Sequence, residues 1–228
     1  MNSLIKQLHH RNLLWYASNR IQTQQIEKHQ TGFAVLDDKL AGGMPTNGVI
    51  ELLSSPGIGE LRLIAPSFKM RQSRFIVFIS PPALVNSAAL HHLGVDVSQV
   101  LVLYPEQHKD ALWAVEQCLQ SGSCSDVIYW PQQDLTISHI QRFQQASKSG
   151  KNRLFYLNSY KTSQASLPVT LSLTLRAHPQ GLKVKINRRK GGWPSDYFIV
   201  DMQTTWPYCT IASSPISNVI AFPVDKAG

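Results

Sequence analysis

Val49-Ile50-Glu51-Leu52-Leu53-Ser54-Ser55-Pro56-Gly57-Ile58-Gly59-Glu60-Leu61-Arg62-Leu63-Ile64 is the stretch on which the reading of the whole chain turns. Val49 to Leu53 is an apolar run of strand length. Ser54 to Gly59 is small and turn-prone, and Glu60 to Ile64 starts a helix. Strand, tight loop and helix start form the frame of a phosphate-binding loop. That loop needs G-x-x-x-x-G-K-[ST], because glycines let backbone N–H groups approach phosphates while Lys and a hydroxyl serve phosphate and Mg²⁺. In register, Ser54 stands for the first Gly, Gly59 for the second, Glu60 for the Lys and Leu61 for the hydroxyl residue. Ser54, Gly57, Gly59, Glu60 and Leu61 therefore read as a degenerate nucleotide loop, with the shape kept and the reacting side chains replaced.

The strands and helices on either side set the fold class. Arg74 to Ser80 is a continuous apolar run stopped by Pro81-Pro82, which suits a strand covered on both faces in a parallel sheet. Ala83 to Leu93 reads as helix, Val100 to Tyr104 as strand, Asp110 to Leu119 as helix, and Asp126 to Trp130 as strand. Asp134 to Ser147 is an amphipathic helix with Asp134 as its cap, and Leu154 to Leu157 is a strand. Strands alternating with helices mean βαβ units. The period then changes. Leu171 to Leu175 and Leu182 to Ile186 alternate around a Gly181 turn, and Tyr197 to Val200 is a last short strand, so the sheet gains antiparallel strands at its C-terminal flank. The class is α/β. Residues 1–30 read as a helical arm, with the helix spanning 3 to about 29, which folds back on its own domain or packs on a partner. Residues 31–201 read as the core, and 202–228 as a tail that docks or hangs loosely.

Composition narrows the function. The chain has 228 residues, of which 43% are hydrophobic and 16% charged, enough to bury a core. No apolar run approaches the roughly 20 residues of a membrane span. The amphipathic N-terminus does not resemble a signal core, so the expectation is cytoplasmic. Three cysteines without metal spacing suggest small buried thiols and no metal site. The net charge is +8, and no acid occurs between Asp134 and Asp196. Eleven bases lie in that interval: Arg142, Lys148, Lys151, Arg153, Lys161, Arg176, Lys183, Lys185, Arg188, Arg189 and Lys190. Such a tract suits an acidic partner, nucleic acid first, or else a solvated face. If Leu182, Val184 and Ile186 face inward, Lys183, Lys185 and Asn187 point outward together, and Arg188-Arg189-Lys190 extends their face. Arg176, Lys183, Lys185, Arg188, Arg189 and Lys190 are the candidate DNA or partner contacts.

The chain lacks the parts of an ATPase at three places. Glu60 inverts a charge beside the phosphates, where one unit-charge contact at ~4 Å is worth about 4 kcal/mol at an effective dielectric of ~20. Ile79-Ser80-Pro81-Pro82 offers no carboxylate to orient water. Val127-Ile128-Tyr129-Trp130 ends in Pro131 without a metal-binding Asp. No catalytic residue, cofactor or metal ligand is assigned, and no ATP hydrolysis is expected.

Thr31-Gly32-Phe33-x-x-Leu36-Asp37, followed by Gly42-Gly43-x-Pro45-x-x-Gly48 and then the degenerate loop, resembles the RecA/RadA recombinase core. His92 to Val102, Ala114 to Val127 and Lys183 to Arg188 are similar to later passages of that core. The resemblance covers about residues 31 to 201 and implies a RecA-like three-layer domain. Pro56 to Pro66, Asp110 to Gly122, Gly181-Leu182-x-Val184 and Arg189 to Gly192 look like the ImuA branch, which is related to the cell-division inhibitor SulA. Membership of the ImuA branch implies SOS-inducible translesion DNA synthesis near the nucleoid. Its partners would be an ImuB-like Y-family polymerase homologue, an error-prone replicative-type polymerase, and DNA bound without regard to sequence. The resemblance also admits self-association or contact with RecA. A SulA-type role would instead require a surface for the division GTPase FtsZ and no DNA contact.

Overall fold

The computed structural model describes residues 27–71, 73–92, 94–159 and 167–211. The arm before residue 27 and the tail after 211 lie outside the described residues. The remainder of the arm differs from expectation. Lys28–His29 is a short strand, β1, antiparallel to β2 at Met44–Pro45. Lys28 Nζ donates to the carbonyls of Leu40 (2.8 Å) and Ala41 (2.9 Å). Those carbonyls close helix α1, Ala34–Lys39, and a cation at a helix C-terminus is favourable. That capping holds this segment in place as a strand.

Eight strands form the main sheet. They are β3 (Gly48–Leu53), β4 (Phe75–Ile79), β5 (Val100–Leu103), β6 (Cys124–Tyr129), β7 (Arg153–Asn158), β8 (Leu171–His178), β9 (Gly181–Arg189) and β10 (Phe198–Asp201). Their order is β10-β9-β8-β3-β7-β6-β4-β5. Neighbours from β5 through to β8 run parallel. β9 and β10 are antiparallel and extend the sheet beyond β8. A mostly parallel centre with an antiparallel flank is the expected class, and each strand read from the sequence is present within two or three residues of its expected ends.

Helices cover both faces, giving three layers. On the first face, α1, α2 (Glu60–Ile64), a 3₁₀ helix (Ala65–Arg71) and α3 (Ser87–His92) lie over Ile50, Leu52, Phe78, Ile128 and Phe155. On the second, α4 (His108–Gln120) and α5 (Ile137–Gly150) lie over Val49, Val77, Val127, Leu154 and Tyr156. An ion pair between Glu116 and Arg142 links α4 to α5. Both sides of β3 are therefore dry, and its side chains are apolar except Glu51. α2 gives way to the 3₁₀ helix just before Pro66, as the proline predicts. α3 begins at Ser87 rather than Ala83, where Asn86 Oδ1 accepts from the Ala89 N–H at 3.0 Å and starts the helix. α5 is capped by Thr136, not Asp134: Thr136 Oγ1 accepts from the His139 N–H while His139 Nδ1 accepts from the Thr136 N–H.

One base of the tract is removed from the surface. Arg153 is fully buried on β7, with Nε 2.6 Å from Asp126 Oδ1 on β6 and Nη2 3.1 Å from Ser67 Oγ. Its guanidinium lies 5.1 Å from the Phe155 ring centre. Arg153 thus belongs to the core, and the basic tract is smaller than the sequence suggests.

Candidate functional site

The loop after β3 lies at the C-terminal edge of the parallel strands, tied to β7 by the Ser54 N–H donating to the Asn158 carbonyl at 3.0 Å. Ser54 is buried. Gly57 and Gly59 have φ of +82° and +110°, conformations that side-chain-bearing residues resist. Arg62 fixes the far side of the loop, donating from Nη2 to the Ile58 carbonyl (3.2 Å) and from Nη1 to the Cys209 carbonyl (3.0 Å). The first ten residues of the tail therefore rest on the domain. The Ile211 N–H donates to the Pro179 carbonyl, and Trp206 packs on the first-face core.

Glu60 turns back into this loop. Its Oε1 accepts from the Gly57 N–H at 3.0 Å and its Oε2 from the Gly59 N–H at 3.1 Å. The carboxylate is buried and occupies two of the backbone donors that a phosphate would use. Leu61 is half-buried against the first-face core, so it serves packing where a hydroxyl would serve a metal. The sequence shows the loss of charge at Glu60 but not that its carboxylate would satisfy the loop. No capping-box spacing marks it, because the acid is the first helical residue and not the third.

Beside the loop is a cavity of about 340 Å³. Ser54, Glu60, Ser80, Trp130, Gln132 and Asn158 line it among prolines, and Glu60 is the one charged residue among the described residues of its wall. Ser80 directly follows β4 in a left-handed conformation, φ +53°. Trp130 follows β6 and stacks on Phe78 with ring centres 6.1 Å apart. These are the two strand ends at which an ATPase would carry a water-orienting carboxylate and a metal-binding Asp.

The antiparallel flank carries the other charged region. Arg176 on β8 lies directly opposite Lys183 on β9, and Lys185 opposite Thr174. The Tyr197 ring, just before β10, gathers all three cations. Arg176 Cζ lies 4.9 Å from the ring centre, Lys183 Nζ 5.3 Å and Lys185 Nζ 5.8 Å. Among the described residues, no ion pair neutralises them. Arg188 donates to the Leu167 carbonyl on the same face, and Lys190 is exposed in the turn that follows.

Arg189 departs from this face. The β8–β9 ladder shifts register between Ser172 and Leu173, so Asn187 is an extra residue. A bulge reverses the alternation beyond it. Arg189 then pairs with Leu171 and reaches the Lys39 carbonyl of α1 at 3.0 Å on the first face. There, burial and the neighbouring Arg189 hold Lys28 below the usual lysine pKa. The bulged Asn187 is not outward-facing in open water either. It donates to Ser172 Oγ and Thr174 Oγ1, and Ser172 Oγ donates to Glu51 Oε2 at 2.6 Å. Burial raises the Glu51 carboxyl above the ordinary range, with the Ser172 and Asn158 hydrogen bonds opposing.

Of the cysteines, Cys124 is buried, Cys118 half-buried and Cys209 exposed, so the expectation of three buried thiols fails for Cys209. Among the described residues no group of His, Cys, Asp and Glu could hold a metal ion. None of the described helices is long and apolar enough to cross a membrane.

Known proteins supply an independent view. The family profile described as cell division inhibitor SulA matches residues 54–153, from the loop to the start of β7. RecA of Nostoc sp. is 27% identical over 106 residues, which are 46% of this chain and 30% of that protein. RecA of Desulforapulum autotrophicum is 30% identical over 110 residues, 47% of this chain and 32% of that protein. The chain thus spans about a third of the length of these RecA proteins. Over these stretches the chain is similar in sequence to RecA and to the SulA profile. The crystal structure of SulA from Pseudomonas aeruginosa aligns over 49% of this chain and 97% of that one, at 22% identity and a TM-score of 0.41.

Proposed function

We propose that the chain is a non-catalytic RecA-related accessory protein of damage-induced translesion DNA synthesis, of the ImuA kind, acting through DNA and polymerase-complex contacts. The observation that carries the non-catalytic half is the Glu60 carboxylate bonded to the Gly57 and Gly59 N–H groups. A nucleotide would have to displace a carboxylate from two donors, and among the described residues of the cavity wall it would meet no lysine or arginine. The DNA half is supported by the cations around Tyr197, which have no ion-pair partner among the described residues, since exposed basic groups bind phosphates independently of sequence. The ImuB-like polymerase homologue and the replicative-type polymerase are the partners this reading implies.

The profile match over 54–153 supports a second reading, a SulA-type inhibitor that binds FtsZ. The two readings use different parts of the chain, because the basic flank from β8 to β10 lies beyond that stretch. Two experiments separate them. Affinity capture from DNA-damaged cells recovers polymerase components under the first reading and FtsZ under the second. Phosphate release from ATP, measured with and without DNA, stays at background in both; DNA-stimulated release would overturn the non-catalytic assignment.

A further inference from the structure

The connection between β9 and β10 holds an aromatic residue out in water. Trp193 is 87% exposed, yet its loop is well anchored. The Lys190 N–H donates to the Thr170 carbonyl and the Gly192 N–H to the Arg189 carbonyl. Beyond Trp193, the Ser195 N–H donates to the Ile186 carbonyl at 2.9 Å, and the Ile186 N–H donates to Ser195 Oγ at 3.0 Å. Pro194 fixes its own φ. The indole is therefore carried by an ordered backbone on the same loop as Tyr197, the two Cα atoms at most about 14 Å apart along four residues.

Among the described residues, no ion pair neutralises the triad on that loop's flank. Like charges directly across a ladder destabilise it, and Arg176 faces Lys183 in that way. The Tyr197 ring offsets part of that repulsion. A ligand carrying closely spaced negative charges would offset the rest. Taken with the indole, that ligand has flat apolar faces as well as anionic groups.

We propose that this loop and flank form a binding track for a single nucleic-acid strand, with Trp193 stacking on an unpaired base and Arg176, Lys183 and Lys185 taking neighbouring phosphates. Tyr197 positions the three cations. The inference rests on the DNA reading above and adds strand preference and the residues responsible. Bases inside a duplex are stacked on one another and offer Trp193 no face, whereas those of a single strand do. An acidic peptide would satisfy the triad and leave the indole without a stacking partner.

The test is fluorescence anisotropy with the full chain. The probes are a labelled single-stranded oligonucleotide, the same sequence as a duplex, and poly-glutamate as competitor. Trp193→Ala is expected to weaken single-strand binding about tenfold or more, leave duplex binding unchanged, and keep the salt slope. Trp193→Phe should restore most of the affinity. Tyr197→Leu, which changes no charge, should weaken both probes, and Lys183→Gln should lower the salt slope by about one. Far-ultraviolet circular dichroism melts check that each variant folds. Equal single-strand affinity of wild type and Trp193→Ala would overturn the inference while leaving the DNA reading in place. So would displacement of the strand by poly-glutamate at equal charge. Absence of binding to either nucleic acid by the wild-type chain would overturn the DNA reading itself.

Discussion

The two ends of β3's sheet treat charge in opposite ways. At the C-terminal edge of the parallel strands, the loop closes on itself. Glu60 meets Gly57 and Gly59, Arg62 meets two carbonyls, and the described residues of the cavity wall offer no cation. At the antiparallel flank, three cations crowd one ring, and among the described residues none of them has an ion-pair partner. Two arginines show the difference in miniature. Arg153 is buried and paired with Asp126, and it serves the fold. Arg176 is exposed, has no ion-pair partner among the described residues, and faces Lys183 across the ladder, which adds repulsion to the fold. A charge that the folded state does not use is the better place to look for a partner.

The largest expected effect comes from the charge that the fold does use. Asp126→Asn leaves Arg153 buried without its counter-charge and should cost about 3–5 kcal/mol, read from urea or thermal unfolding. Arg176→Met should leave stability unchanged or slightly raise it; equal losses at both positions would erase the distinction between them. Next comes the flank. Reversing Arg176, Lys183 and Lys185 to Glu should reduce oligonucleotide affinity on the order of a hundredfold or more at low salt while the chain stays folded. Unchanged affinity would reject that face as the contact.

Smaller effects sharpen the contrast at the loop. Glu60→Ala removes the acceptor of two loop N–H groups and should cost about 1–3 kcal/mol, without any gain of ATP hydrolysis. A loop that lost nothing would show that the carboxylate does not hold it. The smallest effect is pH-dependent. Burial raises the Glu51 carboxyl in the folded state, so the folded chain binds its proton more readily than the unfolded chain does. This group therefore favours folding most at low pH, and its contribution falls as pH rises from the unfolded carboxyl range through the raised folded pKa. Glu51→Gln should accordingly stabilise the chain at neutral pH, with the gain shrinking toward pH ~4. A gain independent of pH would exclude titration of Glu51 as its source.

The strands and the switch from parallel to antiparallel pairing were legible because they follow from period and length. Arg74 to Ser80 could only be covered on both faces, and Leu182 to Ile186 only on one. The loop's loss of lysine and hydroxyl was legible too. What the sequence hid depended on contacts distant along the chain. Arg153 reads as one more base until Asp126, 27 residues away, lies beside it. Arg189 reads as a continuation of Lys183 and Lys185 until one bulged residue, Asn187, sends it to the other face. Lys28 reads as the end of a helix until it reaches the carbonyls of Leu40 and Ala41. Tyr197 carried no signal of its own, because its role comes from the cations that the strands bring to it.

The most direct measurement is the affinity of the full chain for a single-stranded oligonucleotide at low salt, taken with and without millimolar Mg·ATP. A closed loop and an independent basic flank predict tight, salt-sensitive binding that ATP leaves unaltered. Binding that appears only with ATP, or changes severalfold on its addition, would contradict the closed loop and the division of charge between the two ends.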